Sequence, residues 1–275
     1  MNNWNLIALD LDGTALDPRN TVAPETREAV AFARARGCRV VVSTGRICGE
    51  AAEFAAAMGA DDLLVASGGA AIANAATGLC TERISIGWES AVRAAAAVER
   101  IGLNAMIYAG ERLLLTPYCD LNFSKYKSNE GFLRSKEIVP SCAEFIAEHK
   151  LDIDKIFCRS TTPEMLRYVR NSLLTTHGLR IISSASDNVE IMAPTVDKAR
   201  ALARVCTAYG TDLAHTIAIG DSENDLEMLR AAGMPVAMGN ATDEVKAVAR
   251  HITGTNAEHG VAQAIYALLG DSPHT

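Results

Sequence analysis

Four stretches of the chain share one pattern. "LIALDLDGT", "RVVVSTGR", "DLLVASGG" and "TIAIGDSEND" each run through consecutive apolar residues and stop abruptly in small and polar ones. A short unbroken apolar run has two faces to bury, so each predicts a central strand of a parallel sheet covered on both sides. Helical periodicity fills the intervals. "APETREAVAFARARGC" sets Ala29, Phe32 and Ala33 on one face, with Pro24 near its start and Gly37 as its C-cap. "GEAAEFAAAMG" follows the second run, and "ENDLEMLRAAG" follows the fourth with Leu226 and Leu229 on one face. "MPVAMGNA" adds another strand. Strand and helix alternate, which predicts a doubly wound, mainly parallel, Rossmann-like α/β sheet.

The middle of the chain breaks this alternation. From residue 84 to 192 the pattern predicts a helix ("WESAVRAAAAVERIG"), two strands ("NAMIYAG", "RLLLTP") and a polar loop. A short helix ("CAEFIAEH"), a strand ("DKIFCRS"), a helix ("PEMLRYVRNSLLTTHG") and two strands ("RIISSA", "VEIMAP") follow. Successive strands joined by turns imply antiparallel pairing. The expected organisation is an α/β core from residues 1–83 and 193–275, with an α+β domain, residues 84–192, inserted in it.

Composition narrows the function. The 275 residues are 49% hydrophobic and 21% charged, as in folded globular proteins. A net charge of -7 argues against a nucleic-acid partner bound through its phosphates, although an acidic protein can still hold a local anion site. No apolar run approaches membrane-spanning length. The chain enters a strand almost at its first residue, without the basic and apolar regions of a signal peptide. Seven scattered cysteines form no CxxC pair and fit no zinc pattern, so reduced thiols in a cytoplasmic protein are expected. The histidines share no metal-ligand spacing.

Ligands of open α/β sheets bind beyond the carboxyl ends of the strands. Here those ends carry Asp10 and Asp12, Ser43 and Thr44, Ser67 to Gly69, and Asp221 to Asp225. Clustered carboxylates resist ionising together unless a cation joins them. A few hard oxygens beside water suit Mg²⁺, which is readily completed by a substrate phosphate. Helix N-termini after the strands add amides suited to an anion. A Mg²⁺-plus-phosphate site is therefore expected. Each residue also has a local reading. Thr44 could cap the following helix, Ser222 and Asp225 fit an S-x-x-D capping box, and Lys198 reads as a solvated helix lysine. Those readings require four independent coincidences at one sheet edge.

Taken in order, "DLDGT" (10–14), "STGR" (43–46), Lys198 after "NVEIMAPTVDK", and "GDSENDLEML" (220–229) resemble the four motifs of the haloacid dehalogenase (HAD) superfamily. "AMGNA" (237–241) and the position of the insert narrow the likeness to the Cof-type phosphatases with a type IIB cap. The resemblance covers essentially the whole chain.

That resemblance implies Asp10 as the nucleophile, forming an aspartyl-phosphate, and Asp12 as the general acid and then base. It implies Mg²⁺ held by the Asp10 carboxylate, the Asp12 main-chain carbonyl and Asp221, with Asp225 supporting the metal shell. Thr44, the Gly45 amide, Lys198 and Asn224 would hold the phosphoryl oxygens. Arg46 either meets substrate or braces its loop. One departure is visible: Gly68-Gly69-Ala70 stands where members often carry Asn-Gly-Ala. The insert is expected to act as a lid. In it, "FSKYKSNEGFLRSKE" offers Lys125, Lys127 and Arg134 either to an anionic substrate or simply to solvent.

The expected activity is Mg²⁺-dependent hydrolysis of a small phosphorylated metabolite, a sugar phosphate first and a phosphorylated cofactor second. Phosphomutase or phosphotransferase chemistry on the same scaffold is the alternative. A non-catalytic phosphate-binding protein is disfavoured by the intact Asp10, Asp12, Lys198 and Asp221.

Overall fold

The first apolar run forms β1 (Leu6–Leu9), buried at every position. The computed structural model describes residues 4–123, 129–183 and 186–270. After β1 come α1 (Pro24–Ala35), β2 (Arg39–Val42), α2 (Cys48–Met58), β3 (Leu63–Ala66), β4 (Ala71–Asn74) and β5 (Cys80–Arg83). The middle of the chain gives α3 (Trp88–Arg100), β6 (Asn104–Ala109), β7 (Arg112–Leu115), α4 (Pro117–Phe123), α5 (Glu130–Ser135) and β8 (Lys136–Ile138). It continues through α6 (Cys142–His149), β9 (Lys155–Arg159), α7 (Pro163–Ser172), β10 (Arg180–Ile182) and β11 (Asn188–Met192). The last part holds α8 (Lys198–Ala208), β12 (Thr216–Gly220), α9 (Leu226–Ala231), β13 (Met234–Ala237), α10 (Asp243–Val248), β14 (His251–Ile252) and α11 (Gly260–Leu269).

Two large sheets organise the molecule. A parallel sheet runs in the order β14-β13-β12-β1-β2, with β1 between β12 and β2. Its central strands are buried on both faces, the condition their unbroken apolar runs predicted. β3 continues this edge only through a parallel bridge between Ser43 and Val65. β3 instead pairs antiparallel with β4, and β4 with β5, a three-stranded unit absent from the expected pattern. The second sheet runs β10-β11-β9-β6-β7-β8 and is antiparallel except between β7 and β8. The fold is thus α/β with an added α+β sheet. Among the described residues, no helix is long and apolar enough to cross a membrane.

Alternation along the second sheet sorts its side chains onto two faces. Ala105, Ile107, Ile156, Cys158, Val189 and Ile191 join one hydrophobic cluster with α3, α6 and α7. The intervening positions are Met106 and Tyr108, then Lys155, Phe157 and Arg159, then Asn188 and Glu190. They point the other way, toward the carboxyl edge of the parallel sheet. Register stacks them in rows: Met106 beside Phe157 beside Glu190, and Asn104 beside Arg159 beside Asn188.

The stretch expected as a polar loop holds α4, α5 and the edge strand β8 instead. α5 rests on α2 through two glycines, since a Cβ on Gly131 would overlap the Gly49 carbonyl. Asn129 Nδ2 donates to the Glu50 carbonyl at 3.0 Å beside that contact. Arg134 is engaged by carboxylates, Glu53 at 2.5 Å and Glu130 at 3.3 Å. Lys125 and Lys127 lie outside the described residues.

One buried carboxylate secures the crossing into the second sheet. Asp154 accepts from Arg83 Nη2 (2.8 Å), Ser85 Oγ (2.7 Å) and the Gly110 amide (2.7 Å). Asp154→Ala would strip these partners at once and should cost about 2–4 kcal/mol, the upper end held down by Arg83's access to water. A urea titration checks this; an unchanged midpoint would show that the crossing is held elsewhere.

Candidate active site

β1 ends at Asp10, which stays extended (φ -68, ψ 162), and the chain then turns through Gly13 at φ +77. A side chain at Gly13 would be strained and would also overlap the Asp221 carboxylate. Thr14 completes the turn by donating its hydroxyl to Asp221 Oδ1 at 2.9 Å. Asn240 Nδ2 donates to the Gly13 carbonyl at 2.8 Å. Thr14 thus binds the loop after β1 to the loop after β12, whose parent strands are neighbours in the sheet, and Asn240 binds it to the loop after β13.

Lys198, the first residue of α8, reaches this junction and is 1% exposed. Its Nζ donates to Asp10 Oδ1 and to Asp225 Oδ1, both at 2.6 Å. It is therefore no solvated helix lysine. Asp225, fully buried, also accepts the Asp221 and Ser222 amides at 3.0 and 3.2 Å through Oδ2. The capping box over Ser222 to Asp225 is real. The same carboxylate also serves as a counter-ion to Lys198.

Asp10, Asp221 and Asp225 offer oxygens within 4.8 Å of one another. Burial, opposed by Lys198 and reinforced by Asp225 and Asp221, holds the Asp10 carboxyl well above the usual carboxylate range. Burial and then the Asp225 charge push Asp221 to about 7. Burial pulls on the Lys198 ammonium as well, but Asp10 and Asp225 keep its pKa above that of an ordinary lysine. Three carboxylates thus face one ammonium, which leaves the group short of positive charge. This donor set fits a hard divalent cation. Asp10 and Asp221 are the more available ligands, because both oxygens of Asp225 already accept protein donors.

Asp12 sits two residues beyond Asp10 with its side chain 60% exposed. Arg46 grips it from the loop after β2, Nε to Oδ2 at 2.9 Å and Nη2 to Oδ1 at 2.5 Å. Arg46 also donates to Asn20 Oδ1 at 2.6 Å, pairs with Glu50 and lies over the Phe54 ring. Arg46 thus braces its loop, and it also borders the cavity above the carboxylates. Thr44 is buried, and its Oγ1 accepts the Arg46 amide at 3.2 Å. It does not cap α2, whose N-cap is Ile47. Asn224 accepts from Ser222 Oγ at 2.8 Å, and its amide nitrogen faces Gly45. Ser43 and Ser67, at the same sheet edge, have buried hydroxyls with no hydrogen-bond partner among the described residues.

These groups line the floor of a cavity of about 600 Å³. Asp10, Asp12, Gly45, Asp221 and Asn224 border it; Thr44, Lys198 and Asp225 lie beneath. The second sheet forms the roof, with Met106 and Phe157 as an apolar wall extended by Phe123 and Phe132. Lys155, Arg159, Asp187, Asn188 and Glu190 add polar groups. Sequence reasoning missed all of these roof residues. Strict alternation within "NAMIY", "DKIFCR" and "NVEIM" was the signal that could have collected Met106, Lys155, Phe157, Arg159, Asn188 and Glu190 on one face. Gly68, in the position of the missing asparagine, has φ +72, and a Cβ there would stand 3.2 Å from Met192 Sδ. The bare backbone therefore leaves Met192 in place.

Comparison with known proteins gives this geometry a lineage. A family model described as haloacid dehalogenase-like hydrolase matches residues 7–265. The 5-amino-6-(5-phospho-D-ribitylamino)uracil phosphatase YcsE of Bacillus subtilis (strain 168) is 33% identical over 269 residues, 94% of each chain. The solved structure of a haloacid dehalogenase-like hydrolase from B. subtilis superposes with a TM-score of 0.84 at 27% identity, covering 96% of this chain and 99% of the other. A subclass IIB sugar phosphatase of the superfamily shares the fold, with a TM-score of 0.81 at 21% identity over 96% of this chain and 98% of its own. With nearly the whole chain matched by the model, the protein belongs to the haloacid dehalogenase-like hydrolases.

Proposed function

We propose that the protein is a Mg²⁺-dependent phosphomonoesterase that hydrolyses a small phosphorylated metabolite through an aspartyl-phosphate. The convergence of Asp10, Asp221 and Asp225 on Lys198, at the carboxyl ends of neighbouring parallel strands, carries this reading. In it, Asp10 attacks phosphorus, forming a bond to its carboxylate oxygen as the bond to the leaving alcohol breaks. Asp12 gives its proton to that alcohol, then takes one from the water that cleaves the acyl phosphate. Arg46 fixes the direction of the Asp12 carboxylate. Lys198, Thr44, the Gly45 amide and Asn224 hold the phosphoryl oxygens, where negative charge is spread in the transition state. Mg²⁺, held by the Asp10 carboxylate, the Asp12 main-chain carbonyl and Asp221 with Asp225 in support, would neutralise charge so that one anion can approach another.

Residues 1–83 and 193–275 serve in this proposal as the catalytic core and 84–192 as the cap. The cavity volume suits a metabolite rather than a polymer. Its wall of Met106, Phe123, Phe132 and Phe157 favours a leaving group that carries a flat ring over a bare sugar. The B. subtilis relative, named for a substrate with a uracil ring on a phosphorylated ribityl chain, supports that preference.

The purified protein should release inorganic phosphate from an aryl phosphate in the presence of Mg²⁺, with water as the acceptor. Across a panel of metabolite phosphates, ring-bearing esters should exceed hexose phosphates in kcat/KM. Release from none of them would end the reading, and transfer to a sugar without free phosphate would mark a phosphotransferase. Asp12→Asn keeps the shape but holds no proton to give, and should lower kcat about 10²- to 10⁴-fold. Unchanged turnover in that variant would remove Asp12 from the acid–base role.

A further inference from the structure

Lys155 opens β9 in the second sheet, and its side chain reaches across to the loop after β2. It is 1% exposed. Its Nζ stands 4.6 Å from the centre of the Tyr108 ring and 5.8 Å from that of Phe157. It pairs with Glu190 Oε2 at 3.1 Å and donates to the main-chain carbonyl of Gly45 at 2.5 Å. A buried ammonium needs a partner, and Glu190 answers that need from within the same sheet. The contact with Gly45 is additional, and it crosses from the roof of the cavity to the floor.

Gly45 is closely held at that crossing. A Cβ built on it would lie 3.4 Å from Lys155 Nζ and 3.9 Å from Asn224 Nδ2. The Gly45–Arg46 peptide has Lys155 on its carbonyl and the Thr44 hydroxyl on its N–H. The side chain that follows this peptide is Arg46, which grips Asp12. One peptide unit therefore links the roof to the phosphate-binding loop and to the acid–base carboxylate.

We propose that Lys155 is a positioning residue: carried by the inserted sheet, it fixes the Gly45–Arg46 peptide and so sets the phosphate-binding loop and Asp12 in reacting geometry. The role rests on the phosphomonoesterase reading of the site. It makes the seating of the roof a condition for chemistry, and not only a shield from water.

Two variants separate positioning from charge balance. Lys155→Met keeps the apolar stem but leaves Glu190 buried without its lysine. Lys155→Met/Glu190→Gln removes both charges. The double variant should regain the melting temperature lost by the single one, while kcat stays on the order of a hundredfold below wild type and KM moves far less. Recovery of kcat together with melting temperature would reduce Lys155 to a counter-ion and overturn the proposal, as would full activity in Lys155→Met. If Lys155→Met does not fold, comparing Glu190→Gln with the double variant isolates the lysine. The phosphomonoesterase reading is judged separately, on wild-type turnover. A wild type that hydrolyses no phosphate ester would remove that reading and the positioning role with it.

Discussion

Asp10→Asn should abolish phosphate release, a fall in kcat on the order of 10⁵-fold, while leaving the fold intact or slightly firmer. The amide has no nucleophilic oxygen to form the covalent intermediate. It does keep the size of the carboxylate and an oxygen that can accept from Lys198, which now donates at 2.6 Å. The stability half of this expectation comes from electrostatics. Burial and the neighbouring Asp225, Asp221 and Asp12 charges hold the Asp10 carboxyl well above its usual range, so the folded chain resists its ionised form. A neutral isostere relieves that resistance, as often happens when a strained active-site group is replaced. Steady-state assay and thermal melting of the same preparation read both halves. Normal turnover in the variant would sink the mechanism, and a large drop in melting temperature would sink the electrostatic account.

Chelation of divalent metal should stop turnover completely, and Mg²⁺ should restore it. It should also move the melting point. At a Mg²⁺ concentration a hundredfold above its Kd, binding to the folded state alone adds about 2.7 kcal/mol. For a chain of this size that is roughly 5–10 °C. Asp221→Asn should lose both the activity and most of the metal-dependent shift, because the proposed ligand Asp221 accepts from the Thr14 hydroxyl, whereas Asp10 and Asp225 both accept from Lys198. Full activity in metal-free protein would overturn the reading of the carboxylate group.

Much of the floor of the site was legible in the chain. Parallel strands buried on both faces must be apolar throughout, so β1, β2, β12 and β13 announce themselves, and their ends point to Asp10, Thr44 and Asp221. Lys198 came from its place among the motifs, since a lysine opening a helix looks solvated until its partners are seen. The roof was hidden for a different reason. Lys155 and Glu190 are charged residues inside short strands, a pattern that ordinarily marks a solvent face. Only the register of β6, β9 and β11 turns that face toward the other sheet. β4 and β5 escaped because "AIAN" is alanine-rich and "CTER" is largely exposed, so neither has the apolar signature of a strand. α5 escaped because its packing on α2 depends on two glycines, which carry no hydrophobic signal.

The pairing of β1 with β12 also bears on how the molecule is made. Leu6 lies beside Thr216, so the edge of β1 that carries Asp10 next to Asp221 stays unpaired until most of the chain has left the ribosome. Contacts this distant in sequence close slowly. Meanwhile β6 through β11, whose pairings are much more local, are complete by residue 192 and supply their own hydrophobic cluster. Vectorial synthesis therefore favours a roof that is finished before the floor, with Asp10 joining Lys198 and its acidic neighbours only in the last stage of folding.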